Sequence, residues 1–189
     1  MKNKLALRGG GRGCGMENKA VFLDRDGTIN RDMHYSADVS RLRVFKNAAT
    51  AIKILNNAEY KVIIISNQSG IARRYFKEKD VEKLNKIIID RLGKRKAKID
   101  AVYFCPHHPE ENCNCRKPKP RMILQAKKDF NIDIKNSYMV GDMQSDIDLA
   151  KNTGAKSIFV LTGIEKNVKG ADYTAKDILD AAEWIVRQN

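Results

Sequence analysis

Five apolar runs of strand length punctuate this chain, at 20–24, 61–66, 100–105, 137–141 and 156–161, and their interiors are apolar at consecutive rather than alternate positions. A strand with one wet face alternates. A continuous run needs cover on both faces, the condition of a parallel sheet sandwiched between helices. The intervening segments 48–58, 78–92, 120–130 and 145–152 have helical spacing, with Val81, Leu84, Ile88 and Leu92 on one face of the second, and 177–187 closes the chain. The pattern predicts an α/β fold with a doubly wound, mostly parallel sheet. Ligands of such sheets gather at the carboxyl ends of the strands.

At 189 residues there is room for one domain with a proper core, and not for two ordinary ones. Residues 1–18, with Gly9-Gly10-Gly11-Arg12-Gly13, lack apolar periodicity and read as a flexible leader, with Met16 an alternative start. Residues 19–189 read as a single domain. The net charge of +13 favours anionic ligands. Part of it is uninformative: the leader contributes +3, and Arg91–Lys98 adds five basic residues at a helix end. No basic strip interleaved with aromatics argues for nucleic acid. No apolar stretch approaches the ~18 residues that span a bilayer, and no signal-peptide core succeeds the basic N-terminus. A monomer in the cytoplasm, away from membranes, is expected.

The residues at the strand ends are chemically selective. The first run ends on Asp24 and Asp26, the second on Ser66-Asn67-Gln68-Ser69-Gly70, and the fourth on Gly141-Asp142 with Asp146 beyond; Arg116-Lys117-Pro118 precedes the 120–130 helix. A carboxylate can attack phosphorus and form an aspartyl-phosphate, dividing one hard displacement into two easier ones. A second carboxylate two residues on can protonate the leaving oxygen and later deprotonate water. Mg²⁺ takes oxygen ligands shared between carboxylates and a substrate phosphate, a role suited to Asp24 and Asp142. Ser66 and Lys117 would neutralise the equatorial oxygens of the transferring group. A lone Asp-x-Asp more often caps a helix; four matching motifs in order outweigh that reading.

The stretch Cys105-Pro-His107-His108-Pro-Glu-Glu-Asn-Cys113-Asn-Cys115 places three thiols within eleven residues. With one imidazole they form a standard tetrahedral zinc set, although the spacings are tighter than the common C-x₂-C. A disulfide framework is disfavoured in a cytosolic chain. Four protein ligands leave no open position, so the zinc is expected to be structural. Its last ligand would sit directly before Arg116-Lys117. Cys14 is left over.

The constellation resembles the haloacid-dehalogenase superfamily of phosphatases over about 20–175. The resemblance implies a Rossmann-like fold, with Asp24 as nucleophile, Asp26 as general acid/base with its backbone carbonyl on Mg²⁺, and Asp142 as metal carboxylate. It further implies Ser66 and Lys117 as phosphate ligands, with Asp146 as the second acid of the fourth motif. The strings Asp-Arg-Asp-Gly-Thr-Ile-Asn, Ser-Asn-Gln-Ser-Gly-Ile-Ala-Arg and Cys-Asn-Cys-Arg-Lys-Pro-Lys-Pro are similar to the D-glycero-D-manno-heptose 1,7-bisphosphate 7-phosphatase family, whose relatives include the histidinol-phosphatase domain. That resemblance favours His107 over His108 as the zinc ligand. It implies a sugar phosphate substrate and removal of a 7-phosphate during synthesis of nucleotide-activated heptose for surface glycans. About forty residues between Asp26 and Ser66 leave no room for a large cap domain. The zinc loop and the 30–40 loop would then shape the pocket, with Asp32, Tyr35, Asn67, Gln68, Ser69 and Arg116 as contacts. The family usually has glycine where this chain has Arg74 and Arg121, and a Gly-Tyr pair near His34-Tyr35. Histidinol phosphate is the rival substrate; a polynucleotide 3′-phosphatase or a non-catalytic zinc-stabilised module are further alternatives.

Overall fold

The computed structural model describes residues 4–6 and 17–188. The leader's Cys14 and Met16 lie outside the described residues, whereas its Lys4–Ala6 forms a short strand, β1. The five strands anticipated from apolar runs are β2 (Ala20–Leu23), β3 (Lys61–Asn67), β4 (Ala101–Cys105), β5 (Tyr138–Gly141) and β6 (Lys156–Val160). A further three-residue strand, β7 (Tyr173–Ala175), comes after them. The helices are α1 (Ala48–Asn57), α2 (Glu78–Gly93), α3 (Arg121–Phe130), α4 (Gln144–Thr153) and α5 (Ile178–Arg187).

The sheet order is β1-β4-β3-β2-β5-β6-β7, parallel throughout except for β1, which pairs antiparallel with β4 along the edge. Alternate residues of each strand serve two separate cores, which explains why the runs are continuous. Val21, Leu23, Val62, Ile64, Val102 and Val140 pack with α1, α2 and α5 on one face. Ala20, Phe22, Ile63, Ile65, Tyr103 and Met139 pack with α3 and α4 on the other. The chain leaves β2 toward β3 on one side and returns through β5 on the other. The strand order therefore reverses at β2, and a crevice opens at its carboxyl end.

Between β2 and β3 the chain holds loops, one 3₁₀ turn at Val39–Arg41 and α1, and no further domain is inserted there. That matches the capless expectation. No helix among the described residues is long and apolar enough to cross a membrane.

Candidate active site

Asp24 leaves the end of β2 beside Asp142, just past β5, and Asp146, which lies in the first turn of α4. The three carboxylates each offer an oxygen within 4.8 Å of the others, and all are buried. Lys117 reaches between them. Its Nζ lies 2.8 Å from Asp24 Oδ1 and 2.7 Å from Asp146 Oδ1. Burial alone would lower the Lys117 pKa; the charges of Asp146 and Asp24 more than offset it, and the ammonium is held above its ordinary range. Burial, reinforced by the Asp24 charge, pushes Asp142 up to about 7. Asp146 also rises to about 7 through burial, against the pull of Lys117.

This donor set suits a divalent cation. Three carboxylates around one ammonium leave the cluster with an excess of negative charge when ionised. Asp142 Oδ2 accepts from the Ile164 N–H at 3.0 Å, while its Oδ1 is buried without a hydrogen-bond partner. A hard cation that prefers oxygen would satisfy both conditions. Asp26, expected on the metal through its main chain, turns its carboxylate elsewhere: Asn30 Nδ2 donates to Oδ1 at 2.8 Å, and Gln68 Nε2 to Oδ2 at 3.1 Å. Asp146 is engaged by Lys117 and by the Met143 N–H at 3.2 Å, so it acts as the counter-charge of the lysine and as a helix cap.

Two glycines make the close approach possible. Gly27 has φ +80°, and a Cβ there would stand 2.4 Å from Asp142 Cγ; one at Gly163 would meet the same carboxylate. Gly27→Ala is therefore expected to displace Asp142 and, if this cluster holds the magnesium, to weaken its affinity about tenfold or more. A Mg²⁺ titration of activity checks this, and an unchanged midpoint would remove Asp142 from the metal.

All the expected non-zinc site residues except the fully buried Asp146 line one cavity of about 360 Å³, shared with Met33, His34, Phe76, Met143 and Ile164. Ser66 and Gln68 are linked by a hydrogen bond of 2.8 Å. Asn67 clips the main chain of Lys117 at both ends: its Oδ1 accepts from the Lys117 N–H at 3.0 Å, and its Nδ2 donates to the Lys117 carbonyl at 3.3 Å. Ser69 is buried in the wall, and Arg116 carries a buried Nη1 without a partner. Asp32 accepts from the His34 N–H at 3.0 Å. Tyr35 stands at the rim, edge-on to Tyr75 with ring centroids 5.8 Å apart and with Arg73 over its face at 5.5 Å. Arg74 and Arg121 do not line this cavity. Arg74 and His34 both have left-handed backbones, φ 61° and 44°, which accounts physically for the glycine expected there in relatives.

Two residues of the site carried no signal of their own. Arg25 lies between the paired acids and is 1% exposed; its Nη2 pairs with Asp26 and its Nη1 donates to Asn85 Oδ1 at 3.1 Å. Asn85 sits on the otherwise apolar face of α2. A sequence cannot show that residues sixty apart share a bond.

Cys105 Sγ, His107 Nδ1, Cys113 Sγ and Cys115 Sγ form a second cluster, with neighbouring donors 3.2 to 3.6 Å apart. Zn–S bonds of 2.3 Å arranged tetrahedrally place sulfurs about 3.8 Å apart, so the four donors fit zinc with little adjustment. His108 is not among them; its ring caps the 3₁₀ turn Pro109–Glu111, accepting from the Glu110 N–H. Burial pushes the Cys105 thiol up. It acts on Cys113 too, but hydrogen bonds from the backbone of Cys115 and Arg116 more than offset it, leaving that thiol at about 7.

Comparison with known proteins places the chain. Residues 114–182 match the model of the HAD-hydrolase-like family. The D-glycero-beta-D-manno-heptose-1,7-bisphosphate 7-phosphatase of Helicobacter pylori J99 is 39% identical over 89% of this chain and 97% of its own length. A probable heptose bisphosphate phosphatase of Thermoplasma acidophilum is 42% identical over 72% of this chain and 86% of its own length. Among solved structures, the D,D-heptose 1,7-bisphosphate phosphatase of B. bronchiseptica, complexed with magnesium and phosphate, superposes with a TM-score of 0.83 at 27% identity, covering 90% of this chain and 99% of that one. A doubly wound sheet, a carboxylate cluster at its switch point and relatives matched along nearly their whole length agree: this chain belongs to the haloacid-dehalogenase-like phosphatases, within the D-glycero-D-manno-heptose 1,7-bisphosphate 7-phosphatase family.

Proposed function

We propose that this chain removes the 7-phosphate of D-glycero-D-manno-heptose 1,7-bisphosphate, through a phosphoryl group carried on Asp24, in the synthesis of nucleotide-activated heptose for lipopolysaccharide or other surface glycans. The observation that carries the reading is Asp24 in the lining of the cavity, 2.8 Å from a buried lysine, in a chain whose relatives share that named activity. Asp24 Oδ1 is held by Lys117 and by the Arg25 N–H at 2.8 Å, which leaves Oδ2 to attack phosphorus. As the new P–O bond forms, the bond to the sugar O7 breaks and Asp26 supplies the proton that O7 takes. Asp26 then removes a proton from water, whose oxygen attacks phosphorus and frees Asp24. Ser66 and Lys117 balance the charge on the transferring oxygens.

Magnesium, held by Asp24, Asp142 and the Asp26 carbonyl, would supply further charge neutralisation at phosphorus. Zinc on Cys105, His107, Cys113 and Cys115 would fix the loop that ends in Arg116, the candidate for the phosphate that stays. Asp32, Tyr35, Asn67, Gln68 and Ser69 complete the pocket. The enzyme works as a cytoplasmic monomer whose catalytic domain is residues 19–189, with neither nucleic acid nor membrane as partner.

The test offers magnesium-loaded protein the heptose bisphosphate, histidinol phosphate and a 3′-phosphorylated oligonucleotide. Preferred turnover of the heptose is expected; equal or absent turnover would overturn the substrate. Stripping zinc with a chelator and restoring magnesium is expected to raise KM for the bisphosphate about tenfold, with a smaller fall in kcat. Lys117 keeps its Asn67 clip and two carboxylates, whereas Arg116 depends on the loop. A fall confined to kcat would place the zinc's effect on the lysine instead.

A further inference from the structure

Asp26 does two opposite jobs in the proposed reaction, and its surroundings are built asymmetrically. Its Oδ2 receives both the Arg25 Nη2 and the Gln68 Nε2 groups, whereas Oδ1 receives only the Asn30 amide. Oδ2 is thus saturated by donors, and Oδ1 retains a free lone pair. Arg25 lines the cavity yet is almost wholly covered. It is 1% exposed, its Nη1 is anchored by the buried Asn85 of α2, and its Nε has no partner. Burying a guanidinium is costly unless its charge is met, and Asp26 is the carboxylate that meets it. Asn85, for its part, interrupts the apolar face formed by Val81, Leu84, Ile88 and Leu92.

We propose that Arg25, anchored by Asn85, is the positioning residue of Asp26: it occupies Oδ2 and so assigns proton transfer to Oδ1. The inference rests on Asp26 being the general acid/base. In the first half-reaction the P–O7 bond breaks as the electron pair stays on O7, and the proton on Oδ1 goes to that oxygen. Without Arg25 the carboxyl can rotate about its Cβ–Cγ bond and present either oxygen. The geometry of proton delivery is then lost although the nucleophile is intact.

Proton delivery matters in proportion to the basicity of the leaving oxygen. The experiment compares kcat/KM, which reports on the first phosphoryl transfer, for the heptose bisphosphate and for 2,4-dinitrophenyl phosphate, whose leaving group departs unaided. Arg25→Met is expected to lose about thirtyfold on the sugar phosphate and less than about threefold on the aryl ester. Asn85→Ala should lose about three- to tenfold on the sugar alone, and provides the same reading should Arg25→Met not fold. Arg25→Lys, which retains the charge but cannot serve both partners, should recover part of the loss. An equal loss on both substrates, or no loss on either, would overturn the positioning role. Asp26→Asn measured alongside separates the two claims: if it too fails to discriminate between the esters, the acid/base reading itself is wrong.

Discussion

Asp24→Asn is expected to lower turnover of any phosphate monoester by at least about 10⁴-fold while leaving the fold in place. The carboxamide keeps the shape of the side chain and can still accept from Lys117 and from the Arg25 N–H. On the proposed route, the substitution removes the anionic oxygen that bonds to phosphorus. The fold should tolerate the change because Asp24 is one of three crowded carboxylates, and its charge is part of what pushes Asp142 and Asp146 up. Steady-state kinetics, with circular dichroism as the folding control, measures both. Residual activity within a hundredfold of the parent would sink the covalent route.

A larger structural effect is expected at Lys117. Lys117→Met should cost about 3–5 kcal/mol of stability, because it leaves Asp24 and Asp146 buried without their cation. For a domain of this size that is a fall of roughly 10 °C in Tm. Activity should drop about 10³-fold if, as proposed, Lys117 supplies the charge that meets the transferring phosphoryl group. The two losses can be told apart. Adding Asp146→Asn to Lys117→Met removes the partner as well, and should restore much of the Tm without restoring activity. A double variant no more stable than the single one would show that Asp146 is not the principal counter-charge of the lysine.

Much of this molecule is legible in its sequence because the strongest constraints are local. A strand covered on both faces must be apolar at every position, so β2 through β6 announce themselves, and the residues that end them are chemically odd enough to mark the crevice. The parts that are not legible have physical reasons. Lys4–Ala6 and Tyr173–Ala175 are three-residue edge strands, too short to show any period, and their formation depends on a neighbour already in place. Gln68, expected as a wall of the pocket, also donates to Asp26 and to Ser66; its position gave the crevice, not the partner. Arg25 and Asn85 meet only because α2 packs its buried face toward the end of β2. Nothing in the neighbourhood of either residue encodes that contact.

The side chain of Asn67 has a wider consequence. Two hydrogen bonds tie it to both main-chain polar groups of Lys117, as one strand would hold another. The main chain of Lys117 is therefore registered against the end of β3 by that side chain, through bonds that involve none of the eleven residues that wrap the cysteines. This divides the chain into a chemical engine and an exchangeable attachment. If the cysteine loop shapes the sugar pocket as proposed, its length and sequence can change while Lys117 keeps its place against β3.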